Sequence, residues 1–516
     1  MTRLLSIGIL LLLLGAACAP AAPTPAASTT PQGERPAANQ VLRVGRLSLP
    51  PSLSPESSFN AFFDPLYDTL TVLGPKFTPI PAAAEKWEYV DDAWRFTLRD
   101  GLTFWNGQKV TVEDVIFSVE LVANTAHPSK LNLPLMNGAY KVDDRTVAIT
   151  SRTRDGMLPN GAHGIYIFPK DYYERLGKDE FGKKPLGTGP YEPVSYDVNT
   201  GAVFRQRSTP HLFRKPTITE IHYRVIPDLA QQVVGLRVGE LDLVPVSTFS
   251  AEQVQQMKNA GLQIQLYDNA SIMNGLFSQP EAERRNSPLR DKRVRQALNY
   301  AVDKESMVNI LYKDQAVMAT QLTVPGTPSY DETNKGYPYN PALAKRLLAE
   351  AGYPNGFKLP MGIGFTAATI PPDVPTIIQA GLREIGVEAQ VNAYEYGFLL
   401  DKYYGRNNQE KDDIFLQSSG DANGTFSVPR GLYTCEKEGA ARWWCTPEFD
   451  RLWVQASQEI DPAKRNALLL QASKVLHDDV PTLLLIQRHN VTAYRPNIRL
   501  THYPFAHMFD TIYRVE

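Results

Sequence analysis

Residues able to do covalent chemistry are sparse in this 516-residue chain. The eight histidines are scattered, and no HExxH, GxSxG, CxxC or GxxxxGK[ST] stretch occurs. His502 and His507 stand five apart, a spacing that does not align them on one helix face. The acidic pairs Asp143-Asp144, Asp412-Asp413 and Asp478-Asp479 are chain neighbours whose side chains point apart. They suit turns and helix ends better than acid–base work. Gly187-Thr188-Gly189 lacks the following helix that a phosphate cradle needs, so it reads as a structural turn. No catalytic residue, metal site or cofactor site emerges, and the expectation is a protein that is not an enzyme.

The cysteines carry more information. Arg3, the aliphatic run Leu4–Leu14 and the small residues Gly15-Ala16-Ala17 make a secretory signal whose apolar stretch is too short to span a bilayer. Small residues ending in Cys18 resemble the bacterial lipobox, which implies lipidation of Cys18 as the mature N-terminus and a membrane anchor without a transmembrane helix. Residues 18–40 are rich in Ala, Pro, Thr and Ser and read as a disordered tether. Two cysteines then remain. In an exported chain Cys435 and Cys445 are expected to form a disulfide rather than remain as two buried thiols.

The elements that must position any site follow a mixed pattern. Val41–Leu47 and Trp94–Arg99 alternate as strands. Thr111–Val122 has an N-cap Thr, early acids and helical spacing. Ala61–Val72, Leu229–Leu236, Asp291–Ile310, Pro341–Ala351, Pro375–Ile385, Leu452–Ser457 and Ala463–His477 also read as helices. Asp143–Thr150 reads as a turn followed by a strand and Gly239–Val244 as a turn leading into one, and further strands are expected at Val387–Asn392 and near Thr482–Ile486 and Asp510–Val515. Such alternation indicates an α/β protein of two or three domains. The 53 basic and 55 acidic side chains leave a formal net charge of −2, which gives no basic face for nucleic acid. The 24 Tyr and 6 Trp exceed what core filling requires and suit a cleft gripping an amphipathic ligand.

The stretch PAAAEKWEYVDDAWRFTLRDGLTFWNGQKVTVEDVIFSVELV (Pro81–Val122) resembles the diagnostic region of the family 5 extracellular solute-binding proteins. That family includes the oligopeptide-, dipeptide- and nickel-binding components of ABC importers. VDDRTVAI, PLGTGPY, GELDLV, LRDKRVRQALNYAVDK, YNPALAKRLLAEAGYPNGF and REIGVEAQVNAYEYGFLL follow in family order across nearly all of the chain after the tether. The resemblance implies a periplasmic-binding-protein-like α/β fold with the ligand in an interlobe cleft. Residues 1–17 would be the lipoprotein signal. Lobe I would hold 41–267 and 485–516, with a subdomain at about 60–206, and lobe II would hold 268–484.

It also implies site residues. Peptide binders of the family pair an Asp after a lobe II strand with the peptide ammonium. DIFLQSSGDANG (Asp413–Gly424) puts Asp421 there, flanked by Ser418, Ser419 and Asn423, with Tyr394, Tyr396 and Phe398 nearby. The alternative role for Asp421 is a turn residue before Ala422-Asn423-Gly424. Dipeptide binders place an Arg ahead of the helix that begins near Pro375, whereas FTAATIPPDVP has no basic residue. A longer peptide, a sugar, an opine or another polar solute therefore fits better, and the absence of a His cluster disfavours nickel. The expected partners are that ligand, ABC permease subunits and the membrane through the lipid anchor, with the chain itself a monomer. The competing reading is a secreted hydrolase of peptides or glycans.

Overall fold

The computed structural model describes Ala37 and residues 40–58, 61–125, 127–245, 249–404, 410–419, 431–435, 443–500 and 508–515. The chain divides into residues 1–35 and a second unit, 36–516, that carries every element described below. In chain order the strands are β1 (Val41–Arg46), β2 (Thr71–Leu73), β3 (Pro79–Pro81), β4 (Ala84–Val90), β5 (Ala93–Leu98), β6 (Met136–Lys141) and β7 (Thr146–Ser151). Next come β8 (Tyr191–Asp197), β9 (Gly201–Gln206), β10 (Glu220–Val225), β11 (Leu243–Pro245), β12 (Gln263–Phe277) and β13 (Ala316–Met318). The last are β14 (Phe357–Phe365), β15 (Val387–Ala393), β16 (Ile414–Ser419), β17 (Thr482–Tyr494), β18 (Ile498–Arg499) and β19 (Tyr513–Arg514).

Among the described residues one large mixed sheet runs β15-β14-β16-β12-β17-β11-β1-β10-β9-β8, with β13 added to β17. β12 and β17 are long enough to serve both of its ends. One end of the pair takes β16 and β13, and the other takes β11. Two cores flank the first end and the second end separately. Met273, Leu276, Leu359, Ile414 and Ile486 belong to one; Leu42, Val44, Phe204, Ile221 and Leu243 belong to the other.

A smaller antiparallel sheet, β4-β5-β7-β6, forms a subdomain with the helix Val112–Asn124. The helix starts where the Thr111 hydroxyl accepts the Asp114 N–H (3.2 Å) and Asp114 Oδ2 accepts the Thr111 N–H (2.9 Å). Such reciprocal caps stabilise a helix start by about 1 kcal/mol. Val112, Val115, Val119 and Val122 fall on one face and pack with Trp94, Phe96, Val147 and Ile149 of the sheet.

Three sequence expectations need correction. Ala61–Val72 is not a helix: a 3₁₀ turn at Ala61–Phe63 leads through Pro65 into β2. Proline in mid-segment removes a helical donor and clashes with the preceding turn. Asp291–Ile310 is not continuous, because the helix Lys292–Ala301 stops and Asp303 caps a new turn by accepting the Ser306 N–H (2.9 Å). Asp412 and Asp413, expected at a turn or helix end, stand immediately before β16 and are both buried.

Candidate functional site

β1, β10 and β11 run parallel and end at Arg46, Val225 and Pro245. β14, β15 and β16 also run parallel to one another and end at Phe365, Ala393 and Ser419. Both sets of carboxyl ends point toward the middle of β12 and β17. Pro245 is level with Thr492, and Ser419 with Ile272. Between these levels the register slips. Tyr267 pairs with Asn490 and Ser271 with Arg488, so residues 268–270 face His489 alone. A bulge of this kind bends the strand and increases its twist. Open α/β sheets bind ligands outside the carboxyl ends of their strands. The crossover of β12 and β17 is therefore the floor of the candidate cleft.

Ser418 is exposed at this floor, and its hydroxyl donates to Ser271 Oγ at 3.0 Å. The Ser419 side chain, Asp421 and Asn423 lie outside the described residues, as does Cys18. Tyr394 follows β15, and its N–H donates to the Phe365 carbonyl at 2.9 Å, which joins the ends of two neighbouring strands. Its hydroxyl is turned away into the fold, 3.2 Å from both oxygens of Asp412. Burial first, and then the Asp412 charge, pushes that phenol up to about 12. Tyr394 thus offers a ring face rather than a donor. The Phe398 ring lies 5.4 Å from it. Tyr396 and Phe398, on the helix Tyr396–Tyr404, are 49 % and 48 % exposed, so both can reach a solute.

Asp412 and Asp413 support this wall from beneath. Asp412 accepts from Asn392 Nδ2 (2.5 Å) and from the Tyr403 hydroxyl, and Lys402 Nζ stands 3.5 Å away. Asp413 Oδ2 accepts the N–H groups of Met361 and Gly362 at 2.8 and 3.0 Å. Buried carboxylates persist when hydrogen bonds and cations compensate for their lost hydration. These two fix the levels of β14, β15 and β16 against one another.

Two groups on the opposite side were missed by the sequence reading. Arg46, at the end of β1, is partly buried, and burial pulls its pKa down. The available signal was an arginine as the last residue of the strand Val41–Arg46. Arg214 donates from Nε and Nη2 to Asp510 (2.8 and 3.0 Å) and from Nη1 to the Asp64 carbonyl (2.7 Å). His211 Nε2 lies 2.9 Å from Asp68 Oδ2. This buried network ties the carboxyl-terminal turn Met508–Thr511 to the 64–68 segment and to the loop between β9 and β10. No local pattern announces it, because its members are up to 446 residues apart (Asp64 to Asp510).

Cys435 and Cys445 are joined, with their Cα atoms 4.7 Å apart. The Gly187–Gly189 turn is a close backbone crossing. A Cβ on Gly187 would fall 2.1 Å from the Leu66 carbonyl oxygen, and one on Gly189 2.4 Å from that of Pro65. Thr188 Oγ1 accepts the Asp68 N–H between them. Among the described residues, no cluster of three or more His, Cys, Asp or Glu could hold a metal ion, and no helix is long and apolar enough to cross a membrane.

Residues 78–440 match the model of the bacterial extracellular solute-binding proteins, family 5. The heme-binding protein A of Haemophilus influenzae is 27 % identical over 493 residues, covering 89 % of this chain and 88 % of the relative. The dipeptide-binding protein of Escherichia coli is 27 % identical over 461 residues, covering 83 % and 85 %. The solved structure of HbpA2 from Haemophilus parasuis superimposes with a TM-score of 0.79 at 23 % identity. It covers 92 % of this chain and 100 % of that one, which is a likeness of fold.

Proposed function

Because the chain belongs to the bacterial extracellular solute-binding proteins of family 5, we propose that it captures a peptide outside the cytoplasm and hands it to the permease subunits of an ABC importer. Membership of a solute-binding family sets aside the secreted-hydrolase reading. The observation that carries the proposal is the meeting of two sets of strand ends at the β12–β17 crossover. Only those two strands join the ends of the large sheet among the described residues, which suits hinge closure around a solute.

On this reading lobe I comprises 41–267 and 485–516, and lobe II comprises 268–484. Asp421 receives a cationic group of the ligand, with Ser418, Ser419 and Asn423 supplying neutral hydrogen bonds. Tyr396, Phe398 and the Tyr394 ring give an apolar rim. A peptide suits this wall because it carries an ammonium, a hydrogen-bonding backbone and side chains of varied polarity. The relatives named for dipeptides and for heme indicate the range that one such fold accommodates. The protein works as a monomer, catalyses no reaction, and is held at the membrane through lipid on Cys18.

Calorimetry with a panel of di- to pentapeptides, heme and simple sugars tests the reading. A peptide that binds wild type should lose about ten- to a hundred-fold in affinity with Asp421→Asn, the loss expected for a hydrogen bond to a charged group. Saturable binding of a sugar or heme with none of any peptide would refute the substrate class.

A further inference from the structure

The subdomain reaches across to the far half of the molecule at two places. In the first, the β2–β3 hairpin pairs Thr71 with Pro81 and Leu73 with Pro79, then turns through Gly74–Thr78. At its tip Lys76 and Phe77 both take left-handed backbone conformations, with φ of 58° and 55°. Such conformations cost side-chain-bearing residues free energy and persist where the surroundings impose them. Here the imposition is visible. Asn160 Nδ2 donates to the Phe77 carbonyl at 2.8 Å, and the Phe77 ring is 3 % exposed. That ring and Leu73 pack with Ile272, Val324, Tyr337 and Leu484, which all belong to the far half.

At the second place, the Gly156 N–H donates to the Ser457 carbonyl at 2.6 Å. The neighbouring side chains are exchanged between the two bodies. Met157 joins the core of the far half, and Ile460 packs against the core of the subdomain. Two anchors hold this loop. Trp94 Nε1 donates to the Asp155 carbonyl (2.6 Å), and Asp155 Oδ1 accepts the Met157 N–H (2.9 Å). Across the contact, Arg465 Nη1 donates to the Glu459 and Ile460 carbonyls at 3.2 Å each. A Cβ on Gly156 would stand 1.8 Å from the Glu459 carbonyl oxygen. Gly156 is not among the glycines with positive φ, so its own backbone would accept alanine. Only the facing backbone forbids it.

We propose that the subdomain is a latch: the Phe77 knob and the Asp155–Met157 loop dock on the second lobe and hold the cleft closed. The inference rests on the hinge-closing reading above. Rotation about the β12–β17 crossover would pull both contacts apart, because the subdomain also packs on lobe I. Trp105 and Tyr172 pack against the cores of both the subdomain and lobe I. The two contacts are small and presented by loops, so they can separate without unfolding either body.

Gly156→Ala is a wedge that acts only on the docked form. Solution X-ray scattering and hydrogen exchange of the purified full chain read its effect without any ligand, so a failure to find a solute leaves the test intact. Gly156→Ala should enlarge the radius of gyration. It should also speed exchange of the amide at position 156 and of the segment 319–337 by at least about ten-fold, with exchange elsewhere unchanged. Phe77→Leu, which shortens the knob while keeping it apolar, should shift both readouts the same way. Wild-type scattering and exchange in Gly156→Ala would overturn the proposal. Exchange that accelerates in parallel over the whole chain would overturn it too, since that reports general loss of stability.

Discussion

Asn299 takes over the pairing of Leu484. Its Oδ1 accepts the Leu484 N–H at 2.9 Å, while its Nδ2 donates to the Thr482 carbonyl at 3.0 Å. The β12–β17 ladder jumps from Met273↔Ile486 to Asn274↔Leu484, and the side chain of a buried helix residue fills the gap. Asn299→Ala leaves two backbone groups unsatisfied in the interior, at about 1–3 kcal/mol each. The variant should lose about 2–4 kcal/mol in urea unfolding. Unchanged stability would mean that water or a strand shift replaces the amide.

Acid should act through His127. The ring is buried, its Nδ1 accepts the Ser129 N–H at 3.1 Å, and burial pulls its pKa down to about 4. The unfolded chain binds that proton near 6.5, so His127 withdraws stability as pH falls from about 6.5 to about 4. Asp155 and Asp64, pushed up by burial to about 6 and about 7, act in the opposite sense over an overlapping range. A substitution at the histidine separates the two effects. His127→Asn keeps an acceptor for Ser129 and cannot titrate. Relative to the variant, wild type should lose about 1–2 kcal/mol between pH 7 and pH 4.5. Parallel melting curves at both pH values would show that the ring is protonated without penalty.

Reduction should weaken the region around the two buried tryptophans. The Cys435–Cys445 bond closes a short loop, and Trp443 and Trp444 just before its second cysteine are buried. In the chain-entropy model such a bond contributes about 2–3 kcal/mol. Thiol titration of the unfolded, unreduced protein should find neither cysteine free. Cys435→Ser/Cys445→Ser should unfold at lower denaturant concentration. Two reactive thiols in the unreduced protein would contradict the bond.

Membrane attachment should depend on a single atom. On the proposed lipidation of Cys18, Cys18→Ser would remove the acceptor for lipid without altering the proposed signal or tether. The substituted protein should leave the membrane fraction and appear soluble after export. Continued co-sedimentation with membranes would refute lipidation at Cys18.

Much of this protein is decided by its local sequence. Thr111 and Asp114 stand three apart before an apolar stripe, and they form the cap and helix that such spacing demands. The ordered family blocks from Pro81 to Leu400 carry the fold class, because a pattern of strand, turn and helix is written in neighbours. Local pattern failed where distant partners compete. Ala61–Val72 has helical spacing, yet β2 needs its end to pair with β3 and place Phe77. Asp412 and Asp413 look like turn residues until Asn392, Tyr403 and the Met361–Gly362 amides surround them. The length of β12 and β17, the register slip at 268–270, the Arg214–Asp510 pair and the seat of Gly156 against Glu459 were decided only by tertiary structure. Each depends on groups hundreds of residues apart in some cases, whose contact energies exist only once the chain has closed. A sequence states the preference of each segment, whereas burial and pairing across the fold determine which preferences prevail.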